Sequence, residues 1–469
     1  MDTYCDLKKT VAGKRCAILG LGVSNLPLTR LLLSFDAIDE LTVYDKKTPA
    51  ELGEEALALA SLGVSFVSGA DCFDNIDADV IFRSPGIRPD IPGILRATEK
   101  GALLTSEMEC FLDLTPARVF AITGSDGKTT TTTLTGKFLE SGGRVYVGGN
   151  IGTPLLDKAG EMTSEDCAVL ELSSFQLMTL GASPLCSAIT NLSPNHMDWH
   201  TTEDEYAEAK YNIVGKNTGR VVLNADSPRT FEFGKKLLAD GGREIIFFSS
   251  TKTPEGIPNG AKAMILSEGK ICYFDTKVST PILDTADILL PGKHNVENYM
   301  TAIALTYGYV DPSIYTQVAR SFGGVEHRLE LVRVLDGVDY YNSSIDSSPT
   351  RTSAALSALD GRDIVVICGG YDKNLSYEPL ADSLCRYARA VVLTGATAPK
   401  IKSALESRGY DSQRLAVVGA ESFEDAVKIA SSLGRPGGCV LLSPASASFD
   451  RFKNFAERGR YFKKLVSEL

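Results

Sequence analysis

One segment carries the clearest chemistry: Arg118-Val-Phe-Ala-Ile-Thr-Gly124-Ser125-Asp126-Gly127-Lys128-Thr129-Thr130. An apolar run enters a glycine turn and leaves it through a lysine and two hydroxyls. That order suits phosphate. Backbone N–H groups at the turn and at a helix start cradle anionic oxygens, and the positive end of the helix adds to the attraction. Lys128 can neutralise β- and γ-phosphates, and Thr129 can offer its hydroxyl to Mg²⁺. Ile122 stands where the first glycine of the full GxxxxGK[ST] pattern belongs. The competing reading is an ordinary strand–helix turn. The strand before and the helix after favour a phosphate loop.

A second glycine segment is Arg15-Cys-Ala-Ile-Leu-Gly20-Leu-Gly22-Val23-Ser24-Asn25, with Asp45 and Lys46 at the end of the next strand. It matches a dinucleotide fingerprint except that Asn25 replaces the third glycine. An acid at Asp45 could hold a ribose or a base. A glycine turn without a ligand is the equal alternative. Ser84-Pro85-Gly86, after another apolar strand, could add a backbone anion site at the same sheet edge.

Glu171 ends the strand DCAVLEL and precedes Ser173-Ser-Phe-Gln. A carboxylate at a strand's C-terminal end faces the ligand crevice of an α/β sheet and can hold a nucleotide's Mg²⁺. It could equally cap the following helix. Asn191-Leu-Ser-Pro-Asn-His196-Met-Asp198-Trp-His200 places three potential metal ligands within five residues, yet without cysteine it matches no structural zinc spacing. Lys210 lies in a helical stretch, where a solvated face is the default.

These residues need rigid elements to hold them. Short β-branched runs alternate with helical patterns along the chain, as expected for an α/β protein with parallel sheets covered on both faces. Examples are RCAILG, LTVYD, RVFAITG, SAITNLS and DIVVICGG. Helices are expected at 25–34, 128–141, 206–214 and 296–307. The 245–288 stretch is rich in turns and short strands and reads as a small β-rich insert or flank. Glycine loops near Gly20, Gly124 and Gly369 suggest three α/β units, and 469 residues agree with about three domains. The expected boundaries are 1–106, 107–324 and 325–469. Hydrophobic residues make up 43% of the chain, enough for ordinary cores. The balance of 48 basic and 59 acidic side chains gives a net charge of −11, which argues against a general nucleic-acid binder. The opening MDTYCDLKKT has no apolar run, so no signal peptide is expected, and no run is long enough to span a membrane. Ten scattered cysteines without a CxxC pair fit reduced thiols.

Taken together and in order, these segments resemble the bacterial Mur ligases, the ATP-dependent amide-forming enzymes of peptidoglycan precursor synthesis. The resemblance covers nearly the whole chain. It rests on GLGVSN, the SPG loop, TGSDGKTTT, GGNIG, ELSSFQL, NLSPNHMDWH, LPGKHNVEN, EHR, GGYDKN and LLSPASASFDRFKNFAERG. The last two point to the branch that adds D-glutamate. The resemblance implies three domains: a Rossmann-like UDP-binding domain, a central P-loop ATPase-like parallel-sheet domain with the β-rich flank, and a C-terminal Rossmann-like domain that binds the amino acid and must swing to close the site. It implies that ATP phosphorylates the carboxylate of UDP-N-acetylmuramoyl-L-alanine and that the amine of D-glutamate attacks the acyl phosphate. It further implies a cytoplasmic enzyme acting as a monomer on small molecules, with no membrane insertion.

Residue roles follow from the resemblance alone. Lys128 holds the β/γ-phosphates, and Thr129 and Glu171 hold one Mg²⁺. His196 binds a second Mg²⁺, and Lys210 matches a carbamylated lysine that acts as a carboxylate-like ligand. His294, Asn295 and Asn298 match adenine contacts, and Arg328 a nucleotide-facing arginine. Asn150 and Ser173 face the muramoyl group. Val23, Ser24, Asp45, Lys46 and Ser84, Pro85, Gly86 form the UDP pocket. Ser347, Lys373, Ser448, Phe449 and Phe455 form the D-glutamate site. One departure stands out: Ser343 occupies a position where the family carries a nucleotide-contacting aspartate. Asp346, three residues on, is expected to compensate in part. The competing functions are another amide ligase of the superfamily, a non-catalytic nucleotide sensor on the same fold, and a nicotinamide oxidoreductase resting only on Gly20 and Gly22.

Overall fold

The computed structural model describes residues 3–197, 199–275, 278–290, 292–373 and 375–469. The chain forms two compact units, Met1–Arg320 and Ser321–Leu469. Among the described residues the strands make three sheets, of five, nine and six strands.

The five-stranded sheet contains β1 (Arg15–Leu19), β2 (Glu40–Asp45), β3 (Ser65–Ser68), β4 (Val80–Arg83) and β5 (Leu103–Thr105). Their order is β3-β2-β1-β4-β5, and all pairs are parallel. Cys16–Leu19 and Val80–Phe82 are buried, as expected for strands covered on both faces. The strand order reverses between β1 and β4, so the crevice of a doubly wound sheet opens beside Gly20 and Ser84. Asn25 explains the missing third glycine. Its buried amide donates to the carbonyls of Leu19 (3.2 Å) and Gly20 (2.9 Å) and closes the turn.

The nine-stranded sheet contains β6 (Arg118–Thr123), β7 (Val145–Gly149), β8 (Cys167–Glu171), β9 (Cys186–Ile189), β10 (Arg220–Asn224), β11 (Glu244–Ser249), β12 (Lys262–Ser267), β13 (Lys270–Asp275) and β14 (Val278–Asp284). The order is β14-β13-β12-β11-β10-β9-β6-β8-β7. β7 through β12 in this order pair in parallel, and β13 and β14 add antiparallel ribs. The stretch expected to form a β-rich insert or flank is a flank at the edge of this same sheet, where Ile246–Ser249 pairs directly with Lys262–Ile265. The helix expected at 206–214 starts earlier, at Glu203, where Thr202 caps it through the backbone N–H of Glu205.

The second unit holds β15 (Glu330–Leu335), β16 (Val338–Asn342), β17 (Ile364–Cys368), β18 (Ala388–Leu393), β19 (Ala416–Gly419) and β20 (Cys439–Leu442), in the order β15-β16-β20-β17-β18-β19. β15 and β16 form an antiparallel hairpin, and the other pairs are parallel. Apolar clusters on the two faces, around Leu356 and Val391 and around Val392 and Phe462, fix the sheet between helices.

In the first unit, Arg83 ends β4 fully buried. Its guanidinium donates to the carbonyls of Ile87 (2.6 Å) and Phe175 (2.9 Å) and to the Thr179 hydroxyl (3.1 Å), so one side chain joins the five- and nine-stranded sheets. Burial lowers its pKa to about 10. Arg83→Met keeps the volume but strands these acceptors, at a cost of about 3 kcal/mol. Urea denaturation of the variant should show that loss, and unchanged stability would mean that the sheets are held together by other contacts.

Candidate active site

The phosphate loop leaves β6 at the point where β8 and β9 flank it. Gly124 has φ 145°, and a Cβ there would overlap the Thr190 hydroxyl. Gly127 caps the helix Lys128–Leu139 with φ 78°, and a Cβ there would overlap the Asn298 carboxamide. Both positions therefore demand glycine on conformation and on space. The loop is tied down from the β9 side. The backbone N–H of Ser125 donates to the Asn191 carbonyl (3.0 Å), and that of Asp126 donates to Asn191 Oδ1 (2.9 Å). These two N–H groups are thus engaged within the protein, whereas those of the helix start from Gly127 through Thr130 have no intrahelical acceptors and could receive an anion. The Ser125 hydroxyl donates to the Ser193 carbonyl (2.8 Å) and lies 2.9 Å from the Tyr206 hydroxyl.

Glu171 sits across the loop, 2% exposed. Its Oε2 accepts from the Thr129 hydroxyl (2.7 Å) and its Oε1 from the Asn150 amide (2.9 Å). The helix Ser174–Leu177 is capped by Ser173 in a capping box with Gln176, so Glu171 does not serve as that cap. Thr129, Glu171 and Asn150 therefore converge, while the Ser173 hydroxyl is engaged at the cap.

Lys210 is 2% exposed and reaches inward from the helix Glu203–Tyr211. Its Nζ donates to the Gly124 carbonyl (2.9 Å) and the Thr123 hydroxyl (3.3 Å) and lies 4.7 Å from the Tyr206 ring centre. The Lys128 ammonium donates to the same Gly124 carbonyl (2.8 Å) and to that of Ser125 (2.8 Å). Burial first, and then the positive charge of Lys128, push the Lys210 pKa down to about 7. A neutral amine at this position is chemically competent to take up CO₂. A carboxylate-like group there would stand beside the Glu171–Thr129 pair, so the donor set fits Mg²⁺ with an oxygen-rich shell.

The NLSPNHMDWH segment follows β9. His196 has a left-handed backbone (φ 56°), and its exposed ring lies 5.1 Å from the Phe175 ring. Asp198 lies outside the described residues. His200, without an expected role, is buried. It stacks on Phe175 with ring centres 5.7 Å apart, and its Nε2 lies 2.9 Å from the Ser174 hydroxyl. Burial lowers its pKa, opposed by the Glu205 carboxylate 3.3 Å from its Nδ1. Two arginines that sequence reasoning missed brace this region. Arg83 holds Phe175. Arg88 donates to the Trp199 carbonyl (2.6 Å) and pairs with Glu205 (2.7 Å) and Asp90 (2.8 Å). Their only sequence signal is an arginine on either side of the SPG loop.

His294, Glu297 and Asn298 from the helix Lys293–Thr306 line a cavity of about 130 Å³ together with Gly127, Thr190 and Phe248. Asn298 also accepts from the Thr131 hydroxyl (3.3 Å) and its amide donates to Asn295 (3.2 Å). In the five-stranded sheet the expected UDP residues gather at the crevice. Val23 is 81% exposed, Lys46 is exposed, and Ser84 lies 3.3 Å from where a Cβ on Gly20 would sit. Asp45 is turned toward the protein, since its carboxylate accepts from the backbone N–H of Leu21 (2.9 Å) and of Lys47 (3.0 Å).

In the second unit Arg328, Lys373, Phe449 and Phe455 are exposed. Phe449 and Phe455 are therefore not core residues. Ser347 is half-buried and Ser448 is buried. Arg458, also buried, donates to the Ser344 carbonyl (2.8 Å) and to those of Ser446 and Ala447 (3.1 Å each), joining the SSIDSS and SPASAS loops. Asp346 is 6% exposed and accepts from the Ser443 hydroxyl (2.8 Å), and burial raises its pKa. The Ser343 hydroxyl accepts from the backbone N–H of Leu329 (3.1 Å). Asp346, expected to compensate in part for Ser343, is thus braced inward against Ser443. Among the described residues, Glu326, His327 and Glu330 also bring metal-competent atoms within 4.8 Å of one another, but Lys463 pairs with both carboxylates.

Comparison with known proteins adds a family. Residues 122–306 match the Mur ligase middle domain, and residues 327–446 match the Mur ligase glutamate ligase domain. A UDP-N-acetylmuramoylalanine–D-glutamate ligase of Ruminiclostridium cellulolyticum is 43% identical over 470 residues, covering 98% of each chain. One of Clostridium botulinum (strain Langeland) is 43% identical over 473 residues, covering 100% of each. Among solved structures, the fold is similar to a UDP-N-acetylmuramate–alanine ligase from Thermotoga maritima, with a TM-score of 0.51 and 19% identity over 97% of this chain and 99% of that one. It is also similar to a UDP-N-acetylmuramoyl-L-alanyl-D-glutamate–2,6-diaminopimelate ligase, with a TM-score of 0.56 and 18% identity over 91% and 93%.

Gly124→Ala tests the loop. The methyl group meets Thr190 in a backbone conformation closed to alanine, so binding of a fluorescent ATP analogue should weaken by at least about tenfold with the circular dichroism spectrum unchanged. Wild-type binding would place the phosphates elsewhere.

Proposed function

The chain belongs to the Mur ligase family, and from that premise we propose that it is the ligase joining D-glutamate to UDP-N-acetylmuramoyl-L-alanine at the expense of ATP. The observation that carries this reading is the convergence of Lys128, Thr129, Glu171 and Lys210 around the Gly124 turn. Such a site neutralises and orients phosphate, and phosphoryl transfer needs little else from a protein.

In this reading the helix start at Gly127–Thr130 and the Lys128 ammonium bind the β- and γ-phosphates of ATP, with adenine in the cavity lined by His294 and Asn298. Thr129 and Glu171 hold one Mg²⁺, and His196 with a carbamylated Lys210 holds a second. Magnesium, when bound, offsets phosphate charge and aligns the transferred group with its acceptor. Carbamylation joins the nitrogen of the neutral Lys210 amine to the carbon of CO₂ and releases one proton, which turns a buried neutral amine into an anion. The loops after β1 and β4 hold the UDP moiety, and Asn150 and Ser173 face the muramoyl group. The substrate carboxylate attacks the γ-phosphorus, ADP leaves, and an acyl phosphate remains. The D-glutamate amine attacks its carbonyl carbon, phosphate departs and an amide forms. Arg328 serves the nucleotide, while Ser347, Lys373, Ser448, Phe449 and Phe455 receive D-glutamate. A lysine and hydroxyls suit a dicarboxylic amino acid. Among the described residues no helix is long and apolar enough to cross a membrane.

Coupled ADP release with UDP-N-acetylmuramoyl-L-alanine should be stimulated by D-glutamate and not by L-alanine, L-lysine or diaminopimelate. Stimulation by one of the others alone would replace this substrate assignment. Lys210→Ala should lower turnover by about 100-fold or more, and small carboxylic acids should restore part of it by filling the lost ligand position. Full activity of the variant would rule out an anionic Lys210.

A further inference from the structure

At the start of the second unit an exposed arginine stands between two residues in left-handed conformation. His327 has φ 65° and Leu329 has φ 42°. Non-glycine residues keep such geometry only where their surroundings over-determine it. The surroundings are specific. The backbone N–H of His327 donates to Glu330 Oε2 (3.0 Å), and that of Leu329 donates to the Ser343 hydroxyl (3.1 Å). The Asn342 amide, buried at the end of β16, donates to Glu330 Oε2 (3.0 Å) and lies 2.9 Å from His327 Nδ1. Lys463 pairs with Glu330 from the outside (2.5 Å).

The His327 ring is the centre of this arrangement. It meets the Phe455 ring edge-on, with centres 6.0 Å apart. It also lies against Gly459, in the same helix, Phe455–Ser467. The three atoms nearest to a Cβ built on Gly459 all belong to this ring, and the Cβ would overlap Nδ1. Glycine inside a helix is unfavourable relative to alanine. The helix accepts that cost at the one position where the ring is seated.

We propose that Gly459 is a positioning residue that, through the His327 ring, ties the aim of Arg328 to the placement of Phe455. The inference rests on the roles given above to Arg328 toward the nucleotide and to Phe455 toward the amino acid. One seat for the ring then sets both. An extra methyl group at Gly459 pushes the ring, and with it both the left-handed turn and the aromatic contact.

Steady-state kinetics of Gly459→Ala test this. The KM values for ATP and D-glutamate should both rise by about tenfold or more, with the KM for the UDP-linked substrate within about twofold of wild type. His327→Asn removes the ring but tolerates the left-handed backbone. The double variant His327→Asn/Gly459→Ala should therefore be no worse than His327→Asn alone, even if Gly459→Ala by itself folds poorly. Unchanged KM values in Gly459→Ala, an equal rise in all three, or additive losses in the double variant would overturn the proposal. Arg328→Ala separates the underlying reading. An unaltered ATP KM there would remove the nucleotide role of Arg328, and the D-glutamate KM of Gly459→Ala would still decide whether Gly459 sets Phe455.

Discussion

Two lysine side chains share one carbonyl oxygen. Lys128 and Lys210 both donate to Gly124, at 2.8 and 2.9 Å, and Lys210 is buried. Two ammonium groups so close, with one of them out of water, repel strongly unless something changes. Lys128 has a natural remedy in phosphate. Lys210 is confined among a carbonyl, a hydroxyl and the Tyr206 ring, and burial first, then the charge of Lys128, lowers its pKa. The rest of the first unit is built around this turn. β8 brings Glu171, β9 brings Asn191, and the helix Glu203–Tyr211 delivers Lys210 itself. The conflict is resolved if Lys210 becomes an anion, because it then shares the metal-facing role of Glu171 rather than opposing Lys128.

The same economy recurs in the second unit. Arg458 and Asn342 are buried polar groups whose partners are mostly backbone or loop atoms. Such groups are costly to bury unless fully satisfied, and here they fix loops whose exposed residues, Arg328 and Phe455, face outward. The buried groups hold the loops, and Arg328 and Phe455 thus belong to one braced body within that unit.

The α/β character and the phosphate loop were legible because they are local. A continuous apolar strand, a glycine turn and a helix start occupy neighbouring residues, and their meaning survives without tertiary contacts. Glu171 was half legible, since its place at a strand end was clear but the identity of the helix cap was not. Lys210 was illegible from chemistry alone. A helical lysine looks solvated until the end of β6 and the ring of Tyr206 close over it. Arg83 and Arg88 failed for the same reason, as their partners lie about 100 residues away. For Asp346 the acid three residues from the missing one was legible, but its burial beside Ser443 was not. The β-rich flank was legible from its turns and short strands, but its pairing with β11 in the same sheet was not, because that is a tertiary contact.

The charge state of Lys210 is where this account is most exposed. Carbon-13 NMR of the purified protein equilibrated with labelled bicarbonate reads it directly, with Lys210→Arg as the reference. The account predicts a carbamate resonance in the wild-type protein that is absent from the variant. A wild-type spectrum identical to that of Lys210→Arg would contradict it, leaving Lys210 an amine and the two-lysine conflict to be met by other means.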